Sequence, residues 1–401
     1  MKKVQRFVLV LLAAAVLAAP CAFAEAPAAA GSNLTIGLLL VGPYNDHGWS
    51  QATFEGLQYA TQKVPGLKMI YIDSVNPSSR PGTTASQLGE SLVAKGAKLI
   101  IFNSDDMCDE AVKFAKEHKD IFVVLNSGDQ TWKDGKEYMD LPNLVCVMGR
   151  MEYSKMMAGF CAAMTTKTGK IGFLGPLVND ETRRLASSTY LGARYAWVHY
   201  LKKNPKDLQF KVTWIGYWFN IPGVTSDPSQ VADDFFNSGY DVVISSIDTT
   251  EAVVEALKYN ARGQKVWAIP YDYKNALSEG PNVCLGVPYF NWGPAYAQAA
   301  KDAMKGTWNE HWEWNGPYWK DINNIDKSAV GFIKGSALSA SASKSLDKFI
   351  GELAGGLNLW KGPLSLQDGS SYLKAGQAAT DYQIWYLPQL LEGMQGQSVA
   401  K

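Results

Sequence analysis

Short uninterrupted runs of Val, Ile and Leu alternate with amphipathic stretches along most of this chain. Runs at 34–41, 68–73, 98–103, 121–126 and 144–148 predict strands. They are apolar at consecutive rather than alternate positions, so both faces of each strand are covered. The stretches 50–64, 83–94 and 106–118 between them have helical spacing, which makes the unit β-α-β and the strands parallel. After Arg150 the pattern begins again, with helices at 153–164, 181–201, 229–237 and 250–259 and strands at 170–174, 210–217, 241–246 and 265–270. The predicted fold class is α/β, two doubly wound parallel-sheet lobes.

The restart is also visible in the letters. Leu40-Val41-Gly42-Pro43-Tyr44-Asn45-Asp46 is echoed by Leu174-Gly175-Pro176-Leu177-Val178-Asn179-Asp180, and Phe54-Glu55-Gly56-Leu57-Gln58-Tyr59-Ala60 by Tyr190-Leu191-Gly192-Ala193-Arg194-Tyr195-Ala196. Both echoes fall at the same place in a strand-turn-helix unit, which argues for two similar lobes facing each other. Beyond Pro270 come a strand at 283–288, a helix at 294–304, a Trp-rich segment at 308–319, a helix at 336–354, loop composition at 361–374 and a closing helix at 382–394. With two lobes already complete, the strand at 283–288 is expected to return to the first. The expected division is lobe 1 at 34–150 plus 272–335, lobe 2 at 151–271, and a C-terminal extension at 336–401 packing on both. Crossings between lobes near Arg150, Pro270 and the segment after Trp319 would form a hinge.

The first 24 residues stand apart. Lys2, Lys3 and Arg6 precede an apolar stretch at 7–19 and an Ala22-Phe23-Ala24 site, the pattern of a cleaved secretory signal. A periplasmic product starting at Glu25 is expected. Cys21 offers a lipid-anchor alternative, against which Pro20 stands where a small residue is wanted. The whole chain has 38 basic and 38 acidic side chains, and the leader carries three of the basic ones and no acid, so the exported protein is slightly acidic. A nucleic-acid partner is not expected. Of the remaining cysteines, Cys146 and Cys284 fall in apparent buried strands and read as small apolar residues, with a bridge between them as the alternative.

Catalytic signatures are missing. There is no Gly-x-Ser-x-Gly elbow, phosphate loop or Gly-x-Gly-x-x-Gly turn, and the four histidines have no metal-ligand spacing. No cofactor, metal or enzymatic activity is expected. What gathers at the strand ends, where an open α/β sheet binds ligands, is aromatic and acidic. These are Tyr44, Asp46 and Trp49 after the first strand, Asn103 and Asp105 after the third, Trp218 and Phe219, Asp248, Tyr271 and Asp272, and Trp292. Aromatic faces stack on rings and carboxylates accept from hydroxyl and N–H donors, so the cleft suits a small donor-rich molecule. Plainer roles stay open for several of them: Asp46 and Asp248 as helix caps, Asp46 accepting from the Trp49 N–H, Trp49 as core, Asp272 as a structural acceptor and Trp292 as a packing wedge. Several carboxylates in one closed cleft would repel one another unless capped, solvated or satisfied by a ligand, and a cationic ligand would relieve them too.

Gly42-Pro43-Tyr44-Asn45-Asp46-His47-Gly48-Trp49 resembles the Gly-Pro-x-x-Asp-x-Gly-Trp signature of one branch of the basic membrane protein family, the substrate-binding subunits of ABC importers that include purine nucleoside receptors. Trp218-Phe219-Asn220-Ile221-Pro222-Gly223 is similar to that family's Trp-Phe-Asp-Pro-Gly, Asp248-Thr249-Thr250 to its Asp-Ser-Thr, and Asn291-Trp292-Gly293-Pro294-Ala295-Tyr296 to its Glu-Trp-Gly-Pro-Tyr. Gly306-Thr307-Trp308 recurs there as well. The resemblance implies a type I periplasmic-binding-protein fold with three crossovers. It further implies a purine ring held between Trp49 and Trp218 or Phe219, with Asp272 facing the ribose or base. The chain departs from the family in lacking a lysine on its 283–289 strand and in carrying Ser104-Asp105-Asp106 after the third strand. The function implied is a monomeric receptor that delivers a purine or nucleoside-like ligand to a membrane permease. A sensory receptor, a binder of another heterocycle or a sugar, and an enzyme on the same scaffold are the alternatives.

Overall fold

The structure is a computed structural model that describes residues 26–399. The leader, its cleavage site and Cys21 lie outside the described residues.

In the first lobe, β1 (Leu34–Leu39), β2 (Leu67–Ile72), β3 (Leu99–Phe102), β4 (Phe122–Asn126) and β5 (Leu144–Gly149) alternate with α1 (Trp49–Lys63), α2 (Ala85–Ala94) and α3 (Cys108–Glu117). After the crossing at Gly149 and Arg150 come α4 (Glu152–Thr165), β6 (Lys170–Gly175), α5 (Asp180–Tyr195), β7 (Gln209–Trp214), α6 (Pro228–Asn237), β8 (Val242–Ser245), α7 (Glu251–Ala261) and β9 (Trp267–Ile269). The rest of the chain contributes β10 (Gly286–Phe290), α8 (Gly293–Lys305), β11 (Trp312–Asn315), β12 (Val330–Lys334), α9 (Ala340–Ala354), β13 (Leu364–Ser365), β14 (Ser371–Leu373), α10 (Asp381–Trp385) and β15 (Met394–Gln395).

Two parallel sheets result, with strand orders β11-β5-β4-β3-β1-β2 and β15-β7-β6-β8-β9. The order β2-β1-β3-β4 of the first is repeated as β7-β6-β8-β9 in the second. The echo between the two strand-turn-helix units is therefore an echo of topology. Strands β3, β4, β5 and β8 are buried throughout, as their uninterrupted apolar runs require. In each sheet the strand order reverses at the first strand, β1 or β6, and a crevice opens beyond that point.

Several segments differ from the sequence reading. The strand expected at 283–288 runs as β10 and pairs antiparallel with β12 instead of entering the six-stranded sheet. Single parallel bridges, Ala268 to Cys284 and Asp272 to Tyr289, seat this region beside the end of β9. Helix α8 then packs on α1, whereas α9 packs on α4. The Trp-rich segment supplies β11, the edge of the first sheet. The helix expected at 181–201 is α-helical to Tyr195 and continues as a π turn over Ala196–Tyr200. The closing helix expected at 382–394 stops at Trp385 because Pro388 has no N–H to continue it, and the chain ends as β15 beside β7. All four cysteines of the described residues are free, so Cys146 and Cys284 are not bridged.

The C-terminal segment is tied to both lobes. Trp385 meets Trp312 and Trp314 edge-on at 5.0 and 5.1 Å. The Tyr386 hydroxyl donates to Asp129 and accepts from the Lys136 N–H at 2.7 Å. Arg150 pairs with Asp381, and on the other lobe Arg183 Nε donates to the Leu387 carbonyl at 2.7 Å. Helices α4 and α5 cross closely: a Cβ on Gly159 would lie 1.9 Å from the Thr189 carbonyl, so this position requires glycine.

Candidate functional site

A cavity lies between the lobes at the carboxyl ends of the strands, where open α/β sheets take their ligands. From the first lobe it is lined by Trp49, Ser104, Asp105 and Ser127. The second lobe and the crossing strand contribute Glu181, Thr182, Leu185, Trp218, Ser246, Asp248, Tyr271 and Asp272.

Each wall follows from local structure. After β1 the chain turns at Gly42-Pro43, and the Asp46 carboxylate accepts from the N–H groups of Gly48, Ser50 and Gln51, each at 2.9 Å. That caps α1, though not through the Trp49 N–H as the sequence reading had it. Burial pushes Asp46 up to about 6 even with those bonds opposing. Trp49 then opens the helix and is 7% exposed. Its Nε1–H donates to the Asn103 carbonyl at 2.5 Å, and Phe290 and Trp292 meet it edge-on at 5.1 Å each. The indole is thus fixed in place as it lines the cavity. In the second lobe the equivalent helix start is capped by Asn179, which exchanges bonds with Thr182 at 2.9 and 3.0 Å, and this sets Glu181, Thr182 and Leu185 at the cavity wall.

The loops after β7 and β8 are joined by the Asp248 N–H to Trp218 carbonyl bond at 2.9 Å. This brings the Trp218 ring and the Asp248 carboxyl to one side of the cavity. Asp272 sits at φ +67°, a left-handed conformation that is uncommon for any residue but glycine and that Asp tolerates better than most. Its N–H donates to Pro288 at 3.1 Å and its carbonyl accepts from Phe290 at 3.0 Å. The side chain is fully buried, and neither carboxyl oxygen has a partner among the described residues.

The lobes touch around this cavity. Asn179 Nδ2 donates to Asp105 at 3.2 Å and the Tyr217 hydroxyl to Asp106 at 2.8 Å. A Cβ built on Gly48 would fall 1.8 Å from the Asp248 carbonyl oxygen. The two lobes are therefore closed on each other.

Electrostatically the cavity is acidic. Burial pushes Glu181 up to about 7 against the pull of Arg184. Asp105 is raised by burial. Asp248 and Asp272 are held well above the usual carboxylate range, first by burial; Asp272 raises Asp248, while Lys155 opposes the shift of Asp272. Lys155 itself is fully buried on α4, donates to the Ser245 carbonyl at 3.0 Å, and lies 3.3 Å from the centre of the Tyr271 ring. Burial brings it down to about 7. Arg184 is held by Glu152 at 2.8 Å.

Of the residues expected at the site, Trp49, Asp105, Trp218, Asp248 and Asp272 are brought together around the cavity, with Tyr271 beside them. Five others are not among its lining residues. Tyr44 is exposed and packs with Phe54 and Tyr71 at 5.3 and 5.7 Å. Asp46 is the cap of α1. Asn103 accepts from the Val41 N–H at 2.9 Å and ties β1 to β3. Phe219 packs edge-on to Tyr217 at 5.1 Å. Trp292 is wedged among Trp49, Phe290 and Tyr296. Ser127, Ser246, Glu181, Thr182 and Leu185 line the cavity without a sequence signal that marks them as ligand contacts, and Ser104 belongs to the segment that departs from the family pattern. The three serines share one signal: each closely follows the end of a strand.

A family model described as ABC transporter substrate-binding protein, PnrA-like, matches residues 33–350. The chain belongs to that family, the basic membrane protein family of ABC transporter substrate-binding proteins. The family consists of binding proteins and not enzymes, and its members are extracytoplasmic. A purine-binding protein of Brucella abortus is 27% identical over 357 residues, covering 88% of this chain and 90% of that protein. A putative ABC transporter glucose-binding protein of Haloferax volcanii is 23% identical, covering 71% of this chain and 65% of the relative. Among solved structures, an ABC transporter solute-binding protein from Aeropyrum pernix superposes with a TM-score of 0.62 at 13% identity, covering 83% of this chain and 93% of that one. The fold of this Bmp-family protein is the type I periplasmic-binding-protein fold. No helix among the described residues is long and apolar enough to cross a membrane.

Proposed function

We propose that this chain is the receptor of an ABC importer, which closes its two lobes on a purine base or nucleoside-like molecule and delivers it to a membrane permease. The observation that carries the reading is that Trp49 of one lobe and Trp218 of the other line a single interlobe cavity. A flat ring lying between them gains roughly 0.5–1.5 kcal/mol per aromatic contact beyond its buried area, and only when the lobes are closed. Ligand contacts with both lobes therefore bias the hinge toward the closed form. Asp248 and Asp272 are the acceptors for ring or amino N–H groups and for ribose hydroxyls. The leader at 1–24, cleaved after Ala24, delivers the receptor to the periplasm as a monomer. Lobe 1 is assigned 34–150 plus 272–335 and lobe 2 is assigned 151–271.

A sugar is the second reading. It is supported by the glucose-binding relative and by the hydroxyl-accepting carboxylates, and the paired tryptophans favour a purine over it. Small molecules released from the purified protein, identified by mass spectrometry and followed by a thermal-shift panel, test the proposal. A ligand at a hundred times its Kd stabilises the folded protein by about 2.7 kcal/mol. Shifts with purines or nucleosides are expected. A clear shift with a pentose or hexose, and none with any purine or nucleoside, overturns the assignment.

A further inference from the structure

We propose that the ligand bound between Trp49, Trp218, Asp248 and Asp272 carries a positive charge, as an N-alkylated or otherwise cationic purine-type heterocycle does. The inference rests on the purine-type reading of the site and specifies the ligand class within it.

The lining holds four carboxyl groups, those of Asp105, Glu181, Asp248 and Asp272, and no Lys, Arg or His. The two nearest cations lie outside the lining, and their pull on Glu181, Asp105 and Asp272 leaves all three carboxyls still raised. Arg184 donates to Glu152 at 2.8 Å and lies 4.1 Å from the Trp385 ring centre. Lys155 donates to the Ser245 carbonyl and lies over the Tyr271 ring, acting on Asp272 through its field and not through an ion pair. Asp105 has Asn179 and Cys108 as donors. Asp272 has none within hydrogen-bonding distance, only the pull of Lys155 and of the Tyr271 hydroxyl beside it, although it is fully buried and its backbone is pinned on both sides.

A buried carboxylate with no donor is costly, and the remedies are protonation or a cation. A neutral purine brings ring-nitrogen acceptors as well as donors, and it adds no charge to offset the ionised form of these buried carboxyls. A cationic ring brings donors and charge together. It also adds attraction to the aromatic faces that a neutral ring lacks. The adjoining mouth of the cleft, reached past Asp105, Ser127 and Glu181, carries five further carboxylates against three basic side chains. Its field draws cations toward the cavity.

The test is isothermal titration of the purified full chain with adenosine and with two cations of the same scaffold, 1-methyladenosine and 7-methyladenosine. Their methyl groups sit on opposite edges of the ring, so that a clash on one edge does not decide the result. At least one cation is expected to bind about tenfold or more tighter than adenosine and to release protons on binding, read from the dependence of the heat on buffer. In Asp272→Asn and Asp248→Asn that preference is expected to fall by about tenfold. Asparagine suits the left-handed conformation at 272, so the first variant keeps its backbone. If adenosine binds as tightly as both cations, or tighter, the charge inference is overturned and the purine reading stands. A cation preference that survives both substitutions also overturns it. If none of the three binds, the purine reading fails and this inference with it.

Discussion

Gly48→Ala tests lobe closure directly, because the new methyl would occupy space that the other lobe fills. The added Cβ would lie 1.8 Å from the Asp248 carbonyl oxygen and 2.5 Å from its carbon. An ordinary non-bonded contact needs the lobes to part here by roughly 1.5 Å. That displacement carries the nearby bridges from Asn179 to Asp105 and from Tyr217 to Asp106, now 3.2 and 2.8 Å, out of hydrogen-bonding range. At about 0.5–1.5 kcal/mol each, the two together cost the closed form about 1–3 kcal/mol. Ligand affinity should therefore fall about 5- to 150-fold, with little change in the melting temperature of the ligand-free protein, since each lobe keeps its own sheet and core. Titration calorimetry reads the affinity and a thermal melt reads the fold. A variant that folds normally and binds within twofold of wild type refutes the claim that this closed arrangement is the ligand-bound one.

Other expectations concern single groups. Trp218→Ala removes a half-buried ring from the cavity wall and should weaken ligand binding about tenfold or more while the thermal midpoint stays close to wild type. A large loss of stability instead would make Trp218 a packing residue. Raised carboxyls bind more protons in the folded than in the unfolded state, so their contribution to stability is fully present below the unfolded values and is lost as pH rises through the folded ones. With Asp46 at about 6 and Glu181 at about 7, the ligand-free protein should melt higher as pH is lowered from neutrality toward 4.5, the ordinary value of a glutamate. Glu181→Gln should flatten that rise, and an unchanged slope contradicts the shift. Tyr386→Phe removes the bonds to Asp129 and to the Lys136 N–H and should cost about 1–3 kcal/mol in chemical denaturation. A variant as stable as wild type would mean that these bonds contribute nothing net.

The parts legible from sequence were those fixed by local pattern. Consecutive apolar runs gave the buried parallel strands, and the rule that ligands sit beyond strand ends located Trp49, Asp105, Trp218, Asp248 and Asp272 around one cavity. Partners chosen by tertiary packing were not legible. Val287 and its neighbours read as a strand returning to the first lobe, yet β10 pairs antiparallel with β12, a residue range far along the chain. Tyr44 follows the same turn as Asp46 but points to Phe54 and Tyr71 on the outside. Glu181 and Thr182 directly follow the echoed turn and carry neither an aromatic ring nor an aspartate to mark them as ligand contacts. They reach the cavity only because the Asn179 cap sets the start of α5 at its wall. Ser104, Ser127 and Ser246 carry no chemical signature beyond their position after a strand.

The central claim is that one ring lies between Trp49 and Trp218 when the lobes close. It is tested most directly by co-purified ligand identification joined to tryptophan-resolved binding: mass spectrometry of the released molecule, then titration of that molecule into wild type, Trp49→Phe and Trp218→Ala. The account predicts a purine or nucleoside-like compound, bound nearly as well by Trp49→Phe and about tenfold or more weaker by Trp218→Ala. A ligand without a flat ring, or one bound equally by all three proteins, contradicts it.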